Sequence, residues 1–138
     1  MESLNREIIA DDKSNFNIFV SLTDIAREKD SKSPGYLVQC WMRSGNTVEF
    51  LRLWEQINNP KFLDNECCRL METIRTTPTT LTPKMWNSKT KAIGIISKAG
   101  KNGCIMAHPE IALAFQAWIY PTVMLELVKK HLHVKRER

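Results

Sequence analysis

The sequence predicts an α+β fold, several helices packed around one small β-hairpin. Three observations carry that reading. Apolar side chains recur at helical spacing in segments opened by Ser, Thr, Asn or Pro and closed by Gly, Asn or Pro. Two β-favouring runs, AIGIIS at 92–97 and CIMA at 104–107, flank GKNG at 100–103, whose glycines tolerate positive φ. A chain of 138 residues, 43% hydrophobic and without internal repeats, has the material for one core and hence one domain.

FNIFV at 16–20 reads as a strand. Ser21 then caps a helix with Asp24 at its third position, burying Leu22, Ile25 and Ala26 and stopping before the polar stretch 30–35. A second helix is expected over 36–43, with Leu37 or Val38 and Trp41 inward, ended by Ser44-Gly45. Asn46 opens a third, with Glu49 placed for a capping box and Phe50, Leu51, Trp54 and Ile57 buried, and Asn58-Asn59-Pro60 stops it. Residues 64–76 form a weakly patterned helix carrying Cys68, Met71, Glu72 and Arg75, and a Thr- and Pro-rich linker follows. Thr82 caps a short helix with Pro83 in its first turn and Trp86 as its anchor. The hairpin comes next, with lysines near its tip. Pro109 starts a helix whose Ile111, Phe115, Trp118 and Ile119 form an i, i+4, i+7, i+8 stripe, the pattern of a core face. Pro121 opens the last helix, through Met124, Leu127, Val128 and Leu132 into the basic tail 135–138.

Charge is distributed unevenly. The net charge is +5, yet residues 1–83 hold 10 Lys and Arg against 12 Asp and Glu, whereas 84–138 hold 10 against 3. Lys84, Lys89, Lys91, Lys98 and Lys101 all precede the first acid of that half, Glu110. Such a run is either a solvated face or the complement of a polyanion.

Several function classes are excluded by what the sequence lacks. No run of roughly 18 apolar residues is present, so the expectation is a soluble, cytoplasmic chain with no membrane partner. Cys40, Cys67, Cys68 and Cys104 read as reduced thiols, since two are adjacent and no secretory signal accompanies them. Cys104 and His108 form an isolated C-x3-H pair, and His131 and His133 lie far along a basic tail, which is no zinc pattern. The motifs G-x-S-x-G, GxxxxGK[ST] and H-E-x-x-H are absent, and paired carboxylates in helical register are not evident. Expected, then, are no catalytic residues, no metal and no cofactor. Trp41, Trp54, Trp86 and Trp118 all fall on apolar helix faces, which favours core packing over stacking on single-stranded bases.

A helix pair followed by a lysine-bearing hairpin suits duplex DNA, because the hairpin can run beside the phosphate wall while a helix enters the major groove. Lys89, Lys91, Lys98 and Lys101 would supply affinity, and Asn46, Thr47, Ser97 and Asn102 would fix register or touch bases. Arg43 either contacts DNA or caps the end of its own helix through the dipole.

Three segments resemble the KilA-N domain of bacteriophages, large DNA viruses and some bacteria: SLTDIA (21–26), WMRSGNTVEFLRLWEQINNPKF (41–62) and TPKMWNSKTKAIGIISKAGKNGCIMAHPEIALAFQAWI (82–119). The resemblance spans about 16–128. It implies a fold similar to the fungal APSES domain: an N-terminal β-hairpin, a helix pair over 21–29 and 36–43, a β-hairpin wing over 93–106 and packed C-terminal helices, together a winged-helix-like core. It implies one DNA-binding domain over 1–138 with a basic helix and tail at 121–138, and makes Arg43, Lys98, Lys101 and Asn102 the foremost contacts. Cys104-Ile105-Met106 stands where the family usually carries Gly-Thr-Tyr, which removes hydroxyl donors from the wing. The function implied is sequence-preferring binding of double-stranded DNA by a phage or mobile-element regulator in the bacterial cytoplasm, at the nucleoid. The alternative is a protein-interaction module, such as an antirepressor that captures a repressor through the final helix. The sequence leaves the oligomeric state open.

Overall fold

The computed structural model describes residues 18–77, 81–98 and 104–137. In chain order these form β1 (Val20–Ser21), α1 (Leu22–Lys29), α2 (Pro34–Met42), α3 (Gly45–Asn58), α4 (Asp64–Thr76), α5 (Pro83–Thr90), β2 (Ile95–Lys98), β3 (Cys104–Ala107), α6 (Pro109–Ile119) and α7 (Pro121–Glu137). The expected α+β layout is present, with helices dominating and a three-stranded antiparallel sheet ordered β1-β3-β2.

The hairpin forms where the two β-favouring runs place it. Ile95 pairs with Ala107, Ile96 with Met106, Ser97 with Ile105 and Lys98 with Cys104. Its tip at 99–103, with Lys101 and Asn102, lies outside the described residues. The first strand is shorter than FNIFV predicts: Val20 pairs with Ala107, the last residue of β3, and the next residue, His108, already caps α6. Residues 16 and 17, and any hairpin partner before them, also lie outside the described residues.

Helix starts follow local chemistry closely. Ser21 Oγ accepts from the Asp24 N–H at 3.1 Å, and Thr82 Oγ1 from that of Met85 at 3.1 Å. Pro83 and Pro109 occupy first turns as expected, and Pro34 does so too, starting α2 two residues before the expected Tyr36. The Asn46–Glu49 capping box does not form. The Val48 N–H already bonds the Ser44 carbonyl at 3.0 Å, so Ser44 is the capping position and Asn46 lies inside the first turn.

One helix is rotated from the expected face. α3 buries Thr47, Val48, Leu51, Trp54 and Glu55, whereas Phe50 is exposed and Ile57 is 62% exposed. α4, weakly patterned in sequence, buries Cys67, Leu70 and Ile74, with Met71 partly buried against the core and Cys68 exposed. Burial pushes the Cys67 thiol up to about 12, which makes it an inert packing group. All four cysteines are free thiols.

The core gathers Leu22, Met42, Leu51, Leu81, Trp86, Ile95, Ile111 and Phe115 between the helices and the inner side of the sheet. Trp41, Trp54 and Trp86 are core residues as expected, but Trp118 is not, being 45% exposed. Trp41 meets Phe115 edge-on from the buried side, with ring centroids 5.1 Å apart, and Trp118 stacks on the same ring at 6.3 Å.

Candidate nucleic-acid interface

The hairpin is held at its root by polar side chains from three helices. Glu55, 1% exposed on α3, accepts from the backbone N–H groups of Ile93 (3.1 Å) and Gly94 (2.7 Å) and from Asn59 Nδ2 (2.9 Å). Burial pushes its carboxyl above the usual range, and the three donors pull it back. Asn59 Nδ2 also reaches the carbonyl of Lys91, a residue at φ 59 that ends α5 in the left-handed region. From α5, Asn87 accepts from the Ser97 N–H at 3.0 Å and donates to the Ile95 carbonyl, replacing ladder bonds that a neighbouring strand would supply. From α1, Thr23 Oγ1 accepts from the Ile105 N–H at 3.0 Å. The direction of the hairpin is thus set by groups outside the sheet.

That direction creates a cleft of about 440 Å³ between the hairpin and the helix pair. Ser97, Cys104 and Ile105 line it from the hairpin, and Thr23, Arg27, Lys32 and Gln39 line it from α1, the turn after it and α2. Among the described residues that line it there are two cations and no carboxylate. Arg27 pairs with exposed Asp24 at 2.7 Å, and Asp30 turns its carboxylate to the N–H groups of Lys32 and Ser33 at 3.0 and 3.2 Å, so both acids are engaged locally.

A family model described as the KilA-N domain matches residues 4–136. The chain belongs to the KilA-N domain family. KilA-N domains are in general DNA-binding domains, so the expectation from the resembling segments holds at that level. Neither curated proteins nor solved structures give a match.

In this KilA-N domain the sequence-expected contacts are scattered unevenly. Ser97 lines the cleft and Lys98 follows it, exposed at the end of β2. Lys91 is exposed, at the loop that leads to the hairpin. Lys89 lies instead against α4, beside Glu66, Arg69 and Thr73. Thr47 is only 8% exposed and faces the core, because α3 is rotated from the expected face, so it offers little surface to a ligand. Asn46 is exposed on the first turn of α3. Arg43 donates to the Leu81 carbonyl at 3.2 Å and to Gln39 Oε1 at 3.1 Å, tying α2 to the chain before α5. It lines a second cleft, of about 380 Å³, with Val48, Glu49, Met71 and Arg75. Gln39 therefore stands between the two clefts.

Sequence reasoning missed Arg27, Lys32 and Gln39. Arg27 and Lys32 sit in the acid-rich part of the chain, where net charge by segment concealed them. The implied helix pair, 21–29 with 36–43, was the signal that would have pointed there. Among the described residues there is no group of three side chains suited to a metal ion, and no single helix is long and apolar enough to cross a membrane.

Proposed function

We propose that this KilA-N domain binds double-stranded DNA with one sugar-phosphate backbone seated in the cleft between the helix pair and the hairpin, and that it acts as a sequence-preferring regulator of the phage or mobile-element kind. The observation that carries the reading is the cleft itself: one concavity lined from both the hairpin and the helix pair, with Arg27 and Lys32 and no acid among the described residues of its walls. Lys98, exposed at the end of β2, extends the positive surface along the hairpin. Cations there release counterions from the phosphates and give affinity, while Gln39, Ser97, Asn46 and Asn102 supply the hydrogen bonds that fix register or read base edges.

Glu55, Asn87 and Thr23 serve this function by position. They hold the hairpin at one angle to α1, so that both walls of the cleft are preformed and little ordering is needed on binding. Selection from a random duplex library, followed by sequencing, measures sequence preference. An enriched motif is expected for the native chain. Reversing Lys98→Glu and Lys101→Glu together should abolish duplex retention, and retention at native strength removes the hairpin from the interface.

A further inference from the structure

Helix α2 lines the cleft with Pro34, Gly35 and Gln39. Proline and glycine carry no hydrogen-bonding side chain, and a Cβ added at Gly35 would meet nothing within 4 Å. The first turn of α2 is therefore low and open. Among the described residues, Gln39 is the polar side chain that this helix presents to the cleft.

The Gln39 amide is held in one orientation. Arg43, one turn further along α2, donates from Nη2 to Gln39 Oε1 at 3.1 Å and from Nε to the Leu81 carbonyl at 3.2 Å. A guanidinium has donors and no acceptor, so the amide oxygen must face it and the amide nitrogen must face away. The bond to Leu81 ties the guanidinium to the segment before α5, so it cannot follow the amide round. Nε2 and its two hydrogens are left for a ligand.

We propose that Gln39 reads guanine in the major groove, with Arg43 as the positioning residue that fixes its amide. The inference rests on the reading of the cleft as a duplex site. In the major groove guanine offers the acceptors N7 and O6, adenine an acceptor and a donor, cytosine a donor, and thymine an acceptor beside a methyl group. A freely turning glutamine suits adenine, using both ends of its amide. Once the oxygen is turned to Arg43, the side chain shows donors only, and guanine offers the most acceptors with no competing donor or methyl group. Phosphate accepts too, but Arg27 and Lys32 in the same walls serve it with charge, and a phosphate oxygen gains nothing from an amide of fixed direction. With the hairpin beside the phosphates, α2 is the wall that borders the groove.

Selection from a random duplex library with the native chain and three variants tests this, circular dichroism confirming that each is folded. The native motif should contain a position at which guanine is preferred over adenine roughly tenfold. Gln39→Ala should lose the preference there and keep the others. Gln39→Glu, which offers only acceptors, should exchange guanine for cytosine at that position. Arg43→Met, which keeps the apolar stem and removes the guanidinium, should admit adenine beside guanine. A purely structural Arg43 would change stability or affinity and leave the base preference alone. A Gln39→Ala chain with every base preference intact, or an Arg43→Met chain still confined to guanine, overturns the proposal. So does native chain that retains duplex without an enriched motif, an outcome that leaves the cleft standing as a DNA site. Native chain that retains no duplex removes the reading of the cleft as well.

Discussion

Gly94, at the root of the hairpin, has no room for a side chain, and the size of the penalty follows from what surrounds it. A Cβ placed there would lie 2.5 Å from Ile111 Cδ1 and 2.7 and 2.8 Å from Cζ3 and Cε3 of Trp54. Ile111 can shift its terminal methyl by a few tenths of an ångström within the core. Trp54 cannot swing aside as easily, because Nε1 donates to Glu110 at 2.9 Å and its ring lies 5.1 Å from that of His108. Gly94→Ala therefore overpacks against a fixed wall and should cost about 2 to 3 kcal/mol, the upper part of the range for inserted methyl groups. For a chain of this size that lowers the melting temperature by roughly 6 to 15 °C. Thermal and urea unfolding followed by circular dichroism read the effect directly. Ile111→Val alone should cost about 1 kcal/mol, yet it removes the nearest clashing atom, so the double variant should be less destabilised than the sum by about 0.5 kcal/mol or more. A Gly94→Ala chain that melts with the native one, or strict additivity in the pair, refutes the packing argument.

Other expectations concern titration and capping. Folding raises the carboxyl of Glu55 above its unfolded value of 4.5, so the folded state binds the extra proton and stability falls as pH rises from there through the folded value. Glu55→Gln should flatten that part of the stability-against-pH curve measured by urea unfolding, whatever it does to the overall level. Burial holds His108 below 6.5, so stability is lost as pH drops from 6.5 towards the folded value, and His108→Asn, which keeps an acceptor for the Glu110 N–H, should remove that slope. Thr82→Ala deletes the cap on α5 and should cost about 1 kcal/mol in the same assay.

Much of the fold is legible because it is encoded locally. Ser21, Thr82, Pro83 and Pro109 mark helix starts through bonds to residues three positions away or through a fixed φ, and the two hairpin strands announce themselves by composition and a glycine-marked turn. Rotation of a helix about its axis is not local. On α3 the stripe Phe50, Ile57 is as apolar as Val48, Leu51, and the choice falls to Glu55, whose carboxylate satisfies two backbone N–H groups 38 and 39 residues away. A glutamate in a helix gives no hint of that duty in the sequence. Trp118 misleads for a related reason, since Trp41 takes the inner side of Phe115. The cleft was the least legible part, because Arg27 and Lys32 reach it from a segment rich in acids, and only the packing of α1 against β3 through Thr23 and Ile105 brings them beside the hairpin.

Whether the cleft holds DNA is decided by the salt dependence of affinity, measured by fluorescence anisotropy on a labelled duplex for the native chain and for Arg27→Glu with Lys32→Glu. The native chain should lose affinity steeply, with a log–log slope of about −0.9 for each phosphate contacted, and the double variant should bind more weakly with a slope shallower by about 2. A native affinity indifferent to salt, or a double variant with the native slope, would contradict a backbone seated between the helix pair and the hairpin.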